Sequence, residues 1–125
     1  MKIYPAILEK RLSQIKSKLE VSRDLTKDIQ IDVCDGRFVP SKTYGSSGLM
    51  NSFIKLGSLS KNFNLELDMM IEWTDSNFDR WLNSIVEAGP AKVIIHIASI
   101  STENFLDVAS VLKKEKIKVG LGVNL

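Results

Sequence analysis

Two stretches of this chain set acidic and amide side chains at every second residue among aliphatic ones. In the first, Ile29, Ile31 and Val33 alternate with Gln30, Asp32 and Cys34; in the second, Leu65, Leu67, Met69 and Ile71 alternate with Glu66, Asp68 and Met70. Period-two alternation sends the two sets to opposite faces of a β-strand. If the aliphatic set meets a layer of helices, the polar set lies on the other face of the sheet. A lone ionised carboxylate there is costly unless it is paired or bound to a metal. Gln30, Asp32, Glu66 and Asp68 therefore read as a cluster of oxygen ligands centred on Asp32, because consecutive strands are usually neighbours in a sheet. The other reading of the same pattern is an antiparallel or edge arrangement that leaves this face in water.

Sites in open α/β sheets and barrels gather at the C-terminal ends of strands and on the loops beyond. Asp32 and Asp35 stand at such an end. The loop that follows, residues 36–48, is the longest in the chain and carries Gly, Pro and Ser as an active-site flap would. Within it, Arg37 and Lys42 read either as an anion contact or as solvated loop charges.

The elements that must position these groups are short apolar or alternating runs at residues 3–8, 29–34, 65–71, 93–97 and 118–123, with helical periodicity between them. Strands that recur about every 26 to 36 residues require parallel pairing with crossover helices and leave no room for hairpins. Leu8, Leu12, Ile15 and Leu19 form one apolar stripe, and Phe78, Trp81, Leu82, Ile85 and Val86 form another. The latter helix should open after Thr74 and Asp75 and stop at Gly89-Pro90. A further helix starts at Ser101 or Thr102, sets Phe105, Val108, Ala109 and Leu112 on one face, and has Lys113, Lys114 and Lys116 near its C-terminal end. No linker divides the chain, so residues 1–125 read as one domain of α/β class.

Seventeen Lys and Arg against 15 Asp and Glu leave a formal charge of +2, with no basic stripe to suggest nucleic acid. The single cysteine, Cys34, excludes an internal disulfide and fits a reducing, cytoplasmic setting. Glu9, Lys10 and Arg11 interrupt the N-terminal region, and no window approaches a membrane span.

The run Asp32-Val33-Cys34-Asp35-Gly36-Arg37-Phe38-Val39-Pro40 resembles the Asp-Val-Met-Asp-Gly-His-Phe-Val-Pro signature of the ribulose-phosphate 3-epimerases. Pro5-Ala6-Ile7-Leu8 is similar to that family's first strand, Leu67-Asp68-Met69-Met70-Ile71 to its third, and Lys118-Val119-Gly120-Leu121-Gly122-Val123-Asn124 to its fifth. The resemblance implies a TIM-type (β/α)8 barrel, of which this chain holds about five strands. It also implies proton transfer at the carbon beside the ketone of a phosphorylated pentose, by two aspartates on opposite faces with a divalent metal. Asp32 matches the first of these, both base and ligand. The partner aspartate belongs to the family's seventh strand.

Gln30 and Asp68 stand where the family has ligand histidines, and Ala6 where it has a substrate serine. The resemblance thus implies a metal set of Gln30, Asp32 and Asp68, whose oxygens favour Mg²⁺ or Mn²⁺ over zinc; the alternative is a site that has lost its metal. Ala6, Asp68, Met70 and His96 are the corresponding substrate positions. Met70 also reads as plain core, and His96 as a satisfied structural histidine.

A closed barrel takes about 200 to 250 residues, and the pattern breaks off after the fifth strand. The expectation is a truncated chain whose open edges are covered by self-association. As 125 residues, it is expected to be inactive or incomplete as an epimerase, with the phosphate-binding loops after the last two strands missing. The competing reading is a non-catalytic half-barrel serving as a structural or association module. A third, decarboxylation or aldol cleavage by a related barrel, needs a lysine at the position that Cys34 occupies.

Overall fold

The computed structural model describes residues 3–123. Five strands alternate with four helices: β1 (Ala6–Ile7), α1 (Leu12–Ser22), β2 (Asp28–Cys34), α2 (Met50–Ser58), β3 (Asn64–Met70), α3 (Phe78–Ala88), β4 (Lys92–His96), α4 (Thr102–Lys114) and β5 (Lys118–Gly122). All pairings are parallel, and the strands lie in chain order from β1 to β5. This is the strand-helix succession of a TIM-type barrel, present for five strands.

The aliphatic set makes the core. Ile29, Ile31, Val33, Leu65, Leu67, Met69, Val93 and Ile95 are at most 1 % exposed and join one cluster with helix residues such as Ile15, Phe53, Trp81 and Val108. Phe53 of α2 meets Trp81 of α3 edge to face, with ring centroids 6.0 Å apart. The same two helices approach closely at Gly57, where an added Cβ would lie 2.6 Å from the Ala88 carbonyl oxygen.

Helix boundaries follow local chemistry. Ser101 caps α4, its hydroxyl accepting from Asn104 N–H at 3.1 Å, and Lys113 and Lys114 occupy the last turn. Gly89 ends α3 in the left-handed conformation, as the Gly-Pro pair predicts. The start of α3 differs from expectation. Thr74 N–H donates to Asn77 Oδ1 while Asn77 N–H donates to Thr74 Oγ1, closing a turn that delays the helix to Phe78.

The first strand is shorter than residues 3–8. Pro5 has no N–H to give, although its carbonyl accepts from Gln30 N–H at 3.0 Å. Leu8 lies outside α1 and is half-exposed, because the Glu9 carbonyl accepts from Tyr44 N–H and Arg11 caps the helix in an extended conformation. Asn124 lies outside the described residues. Among those described, no helix is long and apolar enough to cross a membrane.

Candidate active site

The register of β2 against β3 settles which polar groups meet. Asp32 lies opposite Asp68 and Gln30 opposite Glu66, all on the face turned away from the helices, with Ala6 beside Gln30. The Gln30 side chain reaches toward the C-terminal ends of the strands. Its amide Nε2 donates to Asp32 Oδ1 at 2.9 Å and to Asp68 Oδ2 at 3.4 Å. Three side chains from two strands thus converge on one point.

Two carboxylates this close repel each other, and both are largely out of water. Burial raises the Asp32 carboxyl above the ordinary carboxylate range, opposed by the Gln30 hydrogen bond, reinforced by the Asp68 charge and opposed again by His96. His96 ends β4 and completes the network, with Nε2 2.6 Å from Asp68 Oδ1. When Asp68 is ionised, Nε2 carries the hydrogen and donates it. Nδ1 is buried and, among the described residues, without a hydrogen-bond partner. It lies against β5 at Gly122, where an added Cβ would come within 2.6 Å of it. Phe38 lies beside the same ring, tilted at 46°, at a centroid distance of 5.5 Å.

Glu66 leaves the cluster. It is buried, and its Oε1 is 3.2 Å from Lys92 Nζ, the group directly across on β4. The oxygen set around Asp32 is therefore Gln30, Asp32 and Asp68, with Glu66 neutralised one step nearer the N-terminal ends of the strands. Met70 is half-buried opposite Cys34 at the ends of β3 and β2. Cys34 is fully buried, and burial, with the Asp32 charge, pushes its thiol up to about 11. Trp73 and Trp81 are packing residues, 6 % and 2 % exposed.

The β2–α2 loop is tied down by two residues whose roles the sequence pattern does not announce. Asp35 Oδ1 accepts from the N–H groups of Arg37 and Phe38, at 2.8 and 2.9 Å, and its Oδ2 from Glu72 N–H at 2.8 Å. One carboxylate thereby fastens the loop to the end of β3. The Asp-Gly pair at its head is the only local signal for such a turn. Thr43, 7 % exposed, returns the loop to β2 by donating from Oγ1 to the Asp32 carbonyl and accepting from Cys34 N–H, at 2.8 and 2.9 Å.

Among the described residues, no three His, Cys, Asp or Glu side chains come together as a metal cluster. The donor set that does converge is two carboxylates and an amide. Its nitrogen face is turned toward the carboxylates, and rotation of the amide by half a turn about its last bond would turn the oxygen there instead.

This arrangement of strands agrees with comparison to known proteins. The model of the ribulose-phosphate 3-epimerase family matches residues 2–125. The chain belongs to the ribulose-phosphate 3-epimerase family. A ribulose-phosphate 3-epimerase of Mycobacterium leprae (strain TN) is 30% identical over 95 residues, which make up 76% of this chain and 38% of that protein. The match thus spans less than half the length of that relative. Members of that family generally use a divalent metal.

Proposed function

We propose that this chain carries the base and ligand side of a pentose-phosphate 3-epimerase site. The observation that supports it most directly is the meeting of Gln30, Asp32 and Asp68 at strand ends, on the positions where the family resemblance expects a base and its ligands. In this reading Asp32 takes the proton from the carbon beside the substrate ketone. A buried carboxyl held above its ordinary range is the stronger base for that task near neutral pH. Asp68 holds the His96 imidazole by its Nε2 hydrogen, and Ala6, Asp68, Met70 and His96 border the sugar.

Gln30, Asp32 and Asp68 would hold a divalent cation once the amide turns its oxygen inward, a set of hard donors that suits Mg²⁺ or Mn²⁺ better than zinc. Such a cation, when bound, supplies a Lewis acid for the charge that develops on the ketone oxygen. Inversion also needs an acid on the opposite face of the reacting carbon. Among the described residues no carboxylate answers Asp32 from across the sheet face, so we expect these 125 residues to exchange the substrate proton without completing inversion. A reducing, cytoplasmic setting belongs to the same reading, supported by the single buried thiol of Cys34. So does association of copies along the outer edges of β1 and β5, for which sedimentation over a range of concentrations is the test.

Calorimetry tests the site. Mn²⁺ titrated into the protein, followed by ribulose phosphate into the loaded protein, should give two binding events. Asp32→Asn and Asp68→Asn should each weaken the first by about tenfold or more, the usual scale for loss of a charged ligand. Traces identical to wild type in both variants would remove the proposed ligand set.

A further inference from the structure

We propose that a second site, separate from the Asp32 cluster, binds a phosphate-type anion in the cleft between the β2–α2 loop and the start of α3. The cleft is a cavity of about 510 Å³. Arg37 and Lys42 face it from the loop and Arg80 from the first turn of α3, three cations from two segments far apart in sequence. Among the described residues, none of the three makes an ion pair within 4.0 Å. Ser46, Ser47 and Ser76 line the same walls, the Ser76 hydroxyl sharing a 3.1 Å hydrogen bond with Thr74 Oγ1.

One acid borders the cleft, Asp35, and its carboxylate is already engaged by three backbone N–H groups. Glu72 and Asp75 lie on the connection before α3, and Asp79 in the first turn of α3, without lining the cleft. The cleft therefore has an excess of positive charge and hydroxyl donors, the combination that recognises a compact, multiply charged oxyanion. None of Gln30, Asp32, Asp68 or His96 borders it, so the inference stands independently of the epimerase reading.

The walls are held in place before any ligand arrives. The backbones of Asp35 and Lys42 form an antiparallel bridge. The Lys42 stem lies across Gly36, where an added Cβ would sit 2.8 Å from both its Cγ and Cε. Gly36 has φ +79°, a conformation that favours glycine. On the far side, Ser84 Oγ donates to the Gly48 carbonyl at 2.8 Å, and Gly48 packs on the Trp81 indole. Ordering these segments on binding thus costs little, which favours affinity for a small ligand.

The probe is inorganic phosphate, with glycerol phosphate as a second arm that asks whether an esterified phosphoryl group fits as well. Titration into ¹⁵N-labelled protein should shift the amides of residues 37, 42, 46, 47 and 80. Lys42→Gln and Arg80→Gln should each weaken binding by about tenfold, as loss of one charge-assisted contact does. Lys114→Gln, on the exposed end of α4, and Asp32→Asn should leave phosphate affinity unchanged. Both cleft variants alter exposed side chains, and thermal unfolding checks that they fold. No saturable shift at tens of millimolar phosphate would overturn the proposal. So would equal affinity in all variants, or shifts centred on residues 30 and 68 and abolished by Asp32→Asn.

Discussion

Removing the Asp35 carboxylate should loosen the β2–α2 loop far more than the exposure of that segment suggests. The side chain accepts three backbone hydrogen bonds, from Arg37, Phe38 and Glu72, all at 2.8–2.9 Å. A hydrogen bond to a charged group contributes about 1.5–3 kcal/mol. Two of these three lie at the surface, where water replaces a lost partner, so a weight of about 1 kcal/mol each is appropriate. With the part-buried Phe38 bond at about 1.5–3 kcal/mol, Asp35→Ala should therefore cost about 3.5–5 kcal/mol. Asp35→Asn keeps one oxygen, which can hold the Arg37 and Phe38 pair or the Glu72 bond but not both, and should cost about 1–2 kcal/mol. Urea unfolding measures the loss as a lower midpoint at unchanged slope. Amide hydrogen exchange locates it, with residues 37, 38 and 72 exchanging faster while β4 amides keep their protection. An Asp35→Ala protein within about 0.5 kcal/mol of wild type, smaller than any one of these bonds, would refute the clamp. So would a loss of stability without faster exchange at those three amides.

In chelator-containing buffer, Asp32→Asn should stabilise the protein at neutral pH, read as a higher Tm. The folded-state carboxyl is raised above 3.8, so its charge weakens the fold above that raised value, and the weakening disappears as pH falls through it. The gain of the variant should accordingly vanish toward about pH 4, and a gain that grows with acidity would contradict the sign. Gly57→Ala, which in an open helix gains about 1 kcal/mol, should instead lose about 1–3 kcal/mol, because the new methyl meets the Ala88 backbone; a higher urea midpoint would disprove the close approach. Gly122→Ala should push the His96 ring off Asp68 and change the His96 side-chain ¹⁵N resonances, at a cost of about 1–2 kcal/mol. Unchanged resonances would place the ring elsewhere.

Alternation made β2 and β3 legible to within one residue at each end, because one face of each strand must be apolar throughout. The same alternation brought Gln30, Asp32 and Asp68 together in advance of any coordinates. It could not exclude Glu66, since its partner Lys92 sits on the next strand and only the lateral register joins them. The bond from His96 to Asp68 was illegible for the same reason, and it depends further on Gly122 leaving space on β5. At β1 the apolar run of residues 3–8 promised a longer strand than the edge sustains. Hydrophobicity marks what can be buried, whereas Pro5 and the Tyr44 contact with Glu9 decide where pairing stops. The roles of Asp35 and Thr43 rest on hydrogen bonds to backbone atoms, which carry almost no sequence signature beyond an Asp-Gly turn.

The claim that Asp32 is a proton-transfer base is tested most directly by incubating the protein with Mn²⁺ and ribulose phosphate in deuterated water and following the third carbon of the sugar by NMR. Wild-type protein should wash the hydrogen at that carbon out for deuterium, with little accumulation of the inverted sugar. Asp32→Asn should abolish the exchange. Equal exchange in wild type and Asp32→Asn, or none in either while calorimetry shows the sugar bound, would contradict the assignment of Asp32.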